Sequence, residues 1–212
     1  MLIRMAELSR ESGVPVATIK YYLRERLLPP GERTSPNQAL YDETHIRRLK
    51  LIRALLEVGG LSVATVADVL AALDEQISTH KVLGIASHGL PMPKAGGDAQ
   101  AREWAAEQVD RVVAERGWQL RPDHPVVDSL VGTLSAFAEL GRPELIAQLS
   151  GYAELADRIA ELDLRTIADL PSTESIVEGA VIATVLGDVV FAALRRLAQQ
   201  QVSARTFGDR SG

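Results

Sequence analysis

Glu11-Ser12-Gly13-Val14-Pro15-Val16-Ala17-Thr18-Ile19-Lys20-Tyr21-Tyr22-Leu23-Arg24, residues 11–24, is the stretch on which the reading of the fold turns. Apolar spacing predicts a short helix over Met5 to Ser12, with Leu8 facing inward and Ser9 small enough for a close helix approach. Gly13 supplies the left-handed backbone needed just past a helix end, and Pro15 pre-sets the backbone angle at the start of the next helix. The second helix, Val16 to Arg24, places Ile19 and Leu23 on one face. Thr18, Lys20, Tyr21, Tyr22 and Arg24 are then expected to project outward. Two short helices around a tight glycine turn, the second carrying basic and hydroxyl groups, fit a helix that enters the DNA major groove. An ordinary surface helical hairpin fits the same residues.

The continuation favours DNA. Leu27-Leu28 leads into Pro29-Pro30-Gly31 and then a polar, turn-rich stretch, Glu32 to Leu40, that closes at Tyr41. A two-stranded wing there would set Arg33, Thr34 and Asn37 beside the groove, where phosphate contacts position a protein without specifying sequence. The next helix is expected over Glu43 to Val58, with Ile46, Leu49, Ile52, Leu55 and Leu56 as its apolar stripe and Arg47, Arg48, Lys50 and Arg53 on other faces. Gly59-Gly60 ends it, and Ser62 caps a fourth helix over Val63 to about Leu73, with Val66, Val69 and Leu70 turned inward.

These residues resemble the MerR family of transcription regulators, through Val16-Ala17-Thr18-Ile19-Lys20-Tyr21-Tyr22, Leu27-Leu28-Pro29-Pro30, Tyr41-Asp42-Glu43 and Arg48-Leu49-Lys50-Leu51-Ile52. The resemblance covers about residues 2 to 73. It implies a winged-helix homodimer that sits on double-stranded promoter DNA, untwists it, and lets RNA polymerase engage promoter elements otherwise too far apart. Taken with the helix faces and the wing position, the candidate DNA-contacting residues are Thr18, Lys20, Tyr21, Tyr22, Arg24, Arg33, Asn37, Tyr41, Arg47 and Arg48. The chain also departs from the family pattern. Leu23 replaces the usual acidic residue, Arg26 the usual glycine before the paired leucines, and Ala39-Leu40 the usual arginine before the closing tyrosine. Family members commonly continue into one long antiparallel coiled-coil helix, whereas here the helix after Leu73 meets Gly84, Gly89, Pro91 and Pro93.

The punctuation divides the chain into a DNA-binding domain over 1–75, a connecting helix and linker over 76–98, and an all-helical domain over 99–212. The fold class is all-α with a small β wing: a winged helix-turn-helix followed by a helical bundle. Charge follows the same division. Residues 1–72 carry ten Lys and Arg against eight Asp and Glu, and the remainder 13 against 20, within a net charge of −5. An acidic rear would stay off DNA while the front engages it.

In the rear, helices are expected over Ala99 to Arg116, Pro125 to Leu140, from Pro143 onward, and Thr173 to Gln201, packing together as a bundle. The last is the most apolar: Ile176 to Leu194 carries only Glu178 and Asp188 as charges. Those two carboxylates make a membrane span a poor reading, and burial on two sides, against its own bundle and a second subunit, a better one. Trp104, Trp118, Phe137 and Tyr152 are candidate walls for a small organic effector, although aromatics at helical spacing also serve as plain core. The histidines, His45, His80, His88 and His124, share no metal-ligand spacing, and the chain holds no cysteine. No cofactor is expected. A cysteine-free chain whose N-terminus meets charge before any apolar run reads as cytoplasmic, without signal peptide or anchor. No phosphate loop, serine elbow or acid-base constellation points to an enzyme. The sequence-level reading is therefore a regulator, with a small effector or none. The alternative is an architectural or partner-binding DNA protein whose bundle only dimerises.

Overall fold

The computed structural model describes residues 2–35, 38–75, 78–90, 92, 96–120 and 124–208. The chain forms two compact units, residues 1–90 together with 171–212, and residues 91–170. In the first unit, α1 (Met5–Ser12) ends at Gly13, whose φ of 71° is the left-handed conformation and whose amide donates to the Ser9 carbonyl at 3.0 Å. The Ser9 hydroxyl donates to the Val14 carbonyl at 2.6 Å, fixing the turn into α2 (Val16–Arg24). After α2 the backbone reverses at Arg26, with φ 60°. A residue with a Cβ pays about 1 kcal/mol to stand there. The Tyr22 carbonyl accepts from the amides of Leu27 and Leu28 at 2.9 and 3.3 Å and holds the reversal.

The wing is β1 (Glu32–Ser35) paired antiparallel with β2 (Gln38–Leu40), Glu32 opposite Leu40 and Arg33 opposite Ala39. Reciprocal backbone bonds of 2.8 and 2.9 Å between Ile3 and Tyr41 tie the wing's end to the segment before α1.

Asp42 caps α3 (Glu43–Arg53), its carboxylate accepting from the amides of Thr44 and His45 and from the Thr44 hydroxyl. His45 Nδ1 lies 2.7 Å from that carboxylate and 3.3 Å from the Asp42 amide. The shorter contact requires the proton on Nδ1, so the ring donates to the carboxylate and cannot also accept from the amide. The Thr44 hydroxyl, then the His45 ring, hold the Asp42 carboxyl well below the usual carboxylate range. A lowered pKa means the cap is fully charged above about pH 4 and its contribution is lost as pH falls through the lowered value. Asp42→Ala is expected to cost about 1 kcal/mol at neutral pH. In urea denaturation, the gap from the wild type should shrink progressively as pH is lowered below 4.

The helix expected over Glu43 to Val58 changes character part-way: α3 gives way to one π-helical stretch, Ala54–Val58. Then come α4 (Val63–Asp74), capped by the Ser62 hydroxyl, and α5 (Thr79–Gly89). The last helix, α9 (Thr173–Phe207), returns to this first unit. Val177, Val181 and Val185 enter the same core as Leu8, Ile19, Leu49, Ile52, Leu55, Val66 and Val82. A Cβ at Gly59 would collide with Val185, so glycine there is a requirement of close approach.

This corrects the expectation that the final helix completes the rear bundle. Its first half is core of the front unit, and from Asp188 onward every described side chain is exposed. Residues Ser175–Phe207 are long and apolar enough to cross a membrane by length and composition. Packing against the front core accounts for the apolar residues of the first half, whereas Val189, Val190, Phe191, Leu194 and Leu197 beyond it are exposed.

The second unit contains α6 (Ala99–Arg116), α7 (Pro125–Glu139), a 3-10 turn (Pro143–Ile146) and α8 (Leu149–Ala168). Its core is small, Ala105, Val109, Val131 and Leu134, with Trp104, Leu130, Ile146 and Leu149 packed around it. Asp157 on α8 accepts from Arg116 and from the Trp118 indole N–H at 2.8 Å, and so ties the end of α6 to α8. These two donors, Arg116 first, hold its carboxyl below the usual range.

Candidate nucleic-acid interface

The outward face of α2 is set by a nine-residue helix that can bury only one narrow stripe. Ile19 and Tyr22 point inward, with Leu23 half-buried beside them, leaving Ala17, Lys20 and Arg24 exposed and Thr18 and Tyr21 half-exposed. The Arg24 guanidinium lies 5.3 Å from the centre of the Tyr21 ring and pairs with Glu25 at 3.3 Å. Both contacts are solvent-exposed and leave the guanidinium free to exchange partners.

Between α2, the start of α1 and the wing runs a cleft of about 480 Å³. Three cations line it: Arg4 at the cap of α1, Lys20 on α2 and Arg33 on β1, with Ser35 and Gln38 adding polar groups from the wing. None of the three cations makes an ion pair among the described residues. Tyr41 forms part of the wall, but its side chain is only 4% exposed, and burial pushes its phenol pKa up. Unpaired cations gathered from three elements beside an exposed helix face make a basic groove whose charge suits a phosphate backbone.

A family model described as MerR HTH family regulatory protein matches residues 3–73. Over 50 residues the chain is 40% identical to the HTH-type transcriptional regulator ZntR homolog of Haemophilus influenzae, a match spanning 24% of this chain and 37% of that protein. Over 59 residues it is 37% identical to the mercuric resistance operon regulatory protein of Bacillus cereus, spanning 28% and 45%. The matched stretches thus span less than half the length of these curated relatives. A longer likeness is to the crystal structure of SCO5550 from Streptomyces coelicolor A3(2), assigned as a transcriptional regulator. That likeness has 40% identity and a TM-score of 0.72, and covers 99% of this chain and 100% of the other. Residues 3–73 are a MerR-family helix-turn-helix domain. The relatives the chain matches are transcription regulators, and a DNA-binding regulator is what these likenesses support.

Within this MerR-family front end, the residues expected to touch DNA separate into groups. Lys20 and Arg33 come together in the basic groove, and Thr18, Tyr21 and Arg24 lie on the same helix as Lys20. Asn37 falls outside the described residues. Tyr22 was expected to project and does not: it is 7% exposed and packs in the core. Burial chiefly, then the Glu57 carboxylate and Tyr21, push its phenol pKa up.

Arg48 is likewise committed inside the protein. Its Nε donates to the Leu27 carbonyl at 2.6 Å and its two terminal nitrogens to Asp74 at 2.6 and 2.7 Å, so it clamps the turn after α2 to the end of α4. Arg47 is exposed, makes no ion pair among the described residues, and lies on a different cleft. Arg4 went unnoticed in the sequence. Its signal was the Leu2-Ile3-Arg4 alternation, in which buried Ile3 bridges Tyr41 and turns its neighbour toward the groove side.

The rear aromatics are placed separately. Trp104 packs on the small core, Trp118 is held by Asp157, Phe137 is half-buried, and Tyr152 is 53% exposed. No group of three or more metal-ligating side chains occurs among the described residues.

Proposed function

We propose that this protein acts as a homodimer on promoter DNA, and in doing so governs the access of RNA polymerase. The observation that carries the reading is the groove in which Arg4, Lys20 and Arg33 stand unpaired beside the exposed face of α2. Support for the dimer comes from the second half of α9. There Val189, Val190, Phe191, Leu194 and Leu197 are 44–60% exposed, an apolar surface suited to a second copy of the chain. Two front units joined through this helix would present two basic grooves to the two halves of an operator. Thr18, Tyr21 and Arg24 are the candidates for base-edge and phosphate contacts, and Arg33 for the wing contact.

The test is a salt-titrated binding assay on the DNA upstream of the protein's own gene, with a scrambled duplex as control. Specific binding is expected, falling steeply with salt. Lys20→Ala and Arg33→Ala should each lower affinity on both duplexes and reduce the salt slope by about 1. Equal affinity for both duplexes would instead favour an architectural DNA protein.

A further inference from the structure

A second cleft of the front unit, about 490 Å³, opens between α3, the end of α4 and the start of α9. Its volume is that of a small-molecule site. Leu51, Leu70 and Val177 form an apolar floor, 8%, 2% and 5% exposed. The charged groups around that floor are not equivalent. Arg48 and Asp74 satisfy each other, and Arg48 has a third bond to Leu27. Arg47 stands exposed to water on the rim. Glu178 is half-buried, and makes no hydrogen bond or ion pair among the described residues. It is also one of only two charges between Ile176 and Leu194. A carboxylate partly withdrawn from water beside apolar side chains loses solvation that only a cation or a donor can restore.

We propose that this cleft binds a small organic monocation, an apolar body carrying one protonated amine. The amine pairs with Glu178 and the body covers Leu51, Leu70 and Val177. An anion drawn to Arg47 would meet a charge screened by solvent and would have to sit beside the Glu178 carboxylate, which disfavours it. The proposal gives the regulator reading above a ligand site and rests on it for its biological role. The occupant would touch α3, whose Arg48 clamps the turn after α2, and α9, whose far half is the proposed dimer surface. Binding would therefore bias the α3–α9 arrangement, and with it the spacing of the two basic grooves.

The experiment compares 4-phenylbutylamine with 4-phenylbutyrate, a pair matched in body and opposite in charge, titrated into the full-length protein without DNA. Calorimetry gives affinity, and methyl NMR gives the location. The amine is expected to bind more tightly than the acid and to move the methyl signals of Leu51, Leu70 and Val177. Glu178→Gln should weaken the amine at least tenfold with unchanged thermal stability, and Arg47→Gln should leave it unchanged. Preference for the acid, equal amine binding by Glu178→Gln, unmoved methyl signals, or no binding at millimolar amine would each overturn the proposal. Because DNA is absent, failure here is separate from failure of the promoter-binding reading, which the duplex assay decides.

Discussion

Tyr22→Ala is expected to destabilise the front unit by about 3–5 kcal/mol, the range for truncating a large buried aromatic. The ring is 7% exposed, packs among the residues that join α1, α2 and α3, and stands 5.8 Å from the Tyr21 ring. Its backbone carbonyl, unaffected by the substitution, holds the turn to Leu27 and Leu28, so the loss comes from the emptied volume. With total stabilities of about 5–15 kcal/mol, a melting temperature lower by on the order of 10 °C or more should follow, read by circular dichroism. Tyr22→Phe keeps the ring and should stay within about 1 kcal/mol of the wild type. Arg24→Ala, at a side chain 71% exposed, should weaken DNA binding without altering melting. If Tyr22→Ala melted like the wild type and lost only DNA affinity, Tyr22 would be a DNA contact and its buried placement would be wrong.

The misreading of Tyr22 shows where sequence stops being informative. The limits of α1 and α2 were legible because Gly13 and Pro15 punctuate them, and α6 because Gly117 takes the left-handed conformation just past it. Which way a tyrosine points was not. In a helix of nine residues the buried stripe is two or three side chains wide, and a phenol is apolar enough to join it when the partner surface is there. Arg48 is a similar case. A basic residue on a helix reads as solvated, and nothing near it in sequence announces Asp74 or the Leu27 carbonyl, 26 and 21 residues away.

The destination of α9 depended on a longer-range event. Its apolar stripe would suit a rear bundle as well as a front core. The choice falls to surfaces that meet only in three dimensions, Val185 against the space that Gly59 leaves open. Arg4 belongs to the same class, since its place on the groove follows from the Ile3–Tyr41 backbone bridge.

Val190→Asp should convert the proposed dimer to monomer, and the spacing along α9 also predicts how the two copies would lie. Gly179, Ala183, Leu186, Val190, Ala193 and Leu197 recur at intervals of four and three, the seam of a two-stranded coil, opposite Val177, Val181 and Val185 around the helix, with Leu186 half-buried and packed in part against the front core. The sequence of intervals is symmetric about Asp188. An antiparallel pair centred there would set Leu186 against the partner's Val190, Ala183 against the partner's Ala193 and Gly179 against the partner's Leu197. Large residues would then face small ones at the ends of the seam. A parallel pair would instead stack glycine on glycine and bring the Arg195-Arg196 pairs of both copies together.

Val190 is 57% exposed, so aspartate there should leave the monomer folded while placing two unpaired carboxylates in the seam. Light scattering should report half the mass, and operator affinity should fall with the loss of the second groove. The chain lacks cysteine, so single cysteines report the direction cleanly. At Val189 the two copies would lie about 3 Å apart along the axis in the antiparallel pair, and at Leu197 about 27 Å apart, from a rise of 1.5 Å per residue. A short bismaleimide should therefore cross-link Val189→Cys and spare Leu197→Cys. Efficient cross-linking at both positions would mean a parallel pair. A monomer in the unmodified protein would remove the dimer itself, leaving each basic groove to bind DNA alone.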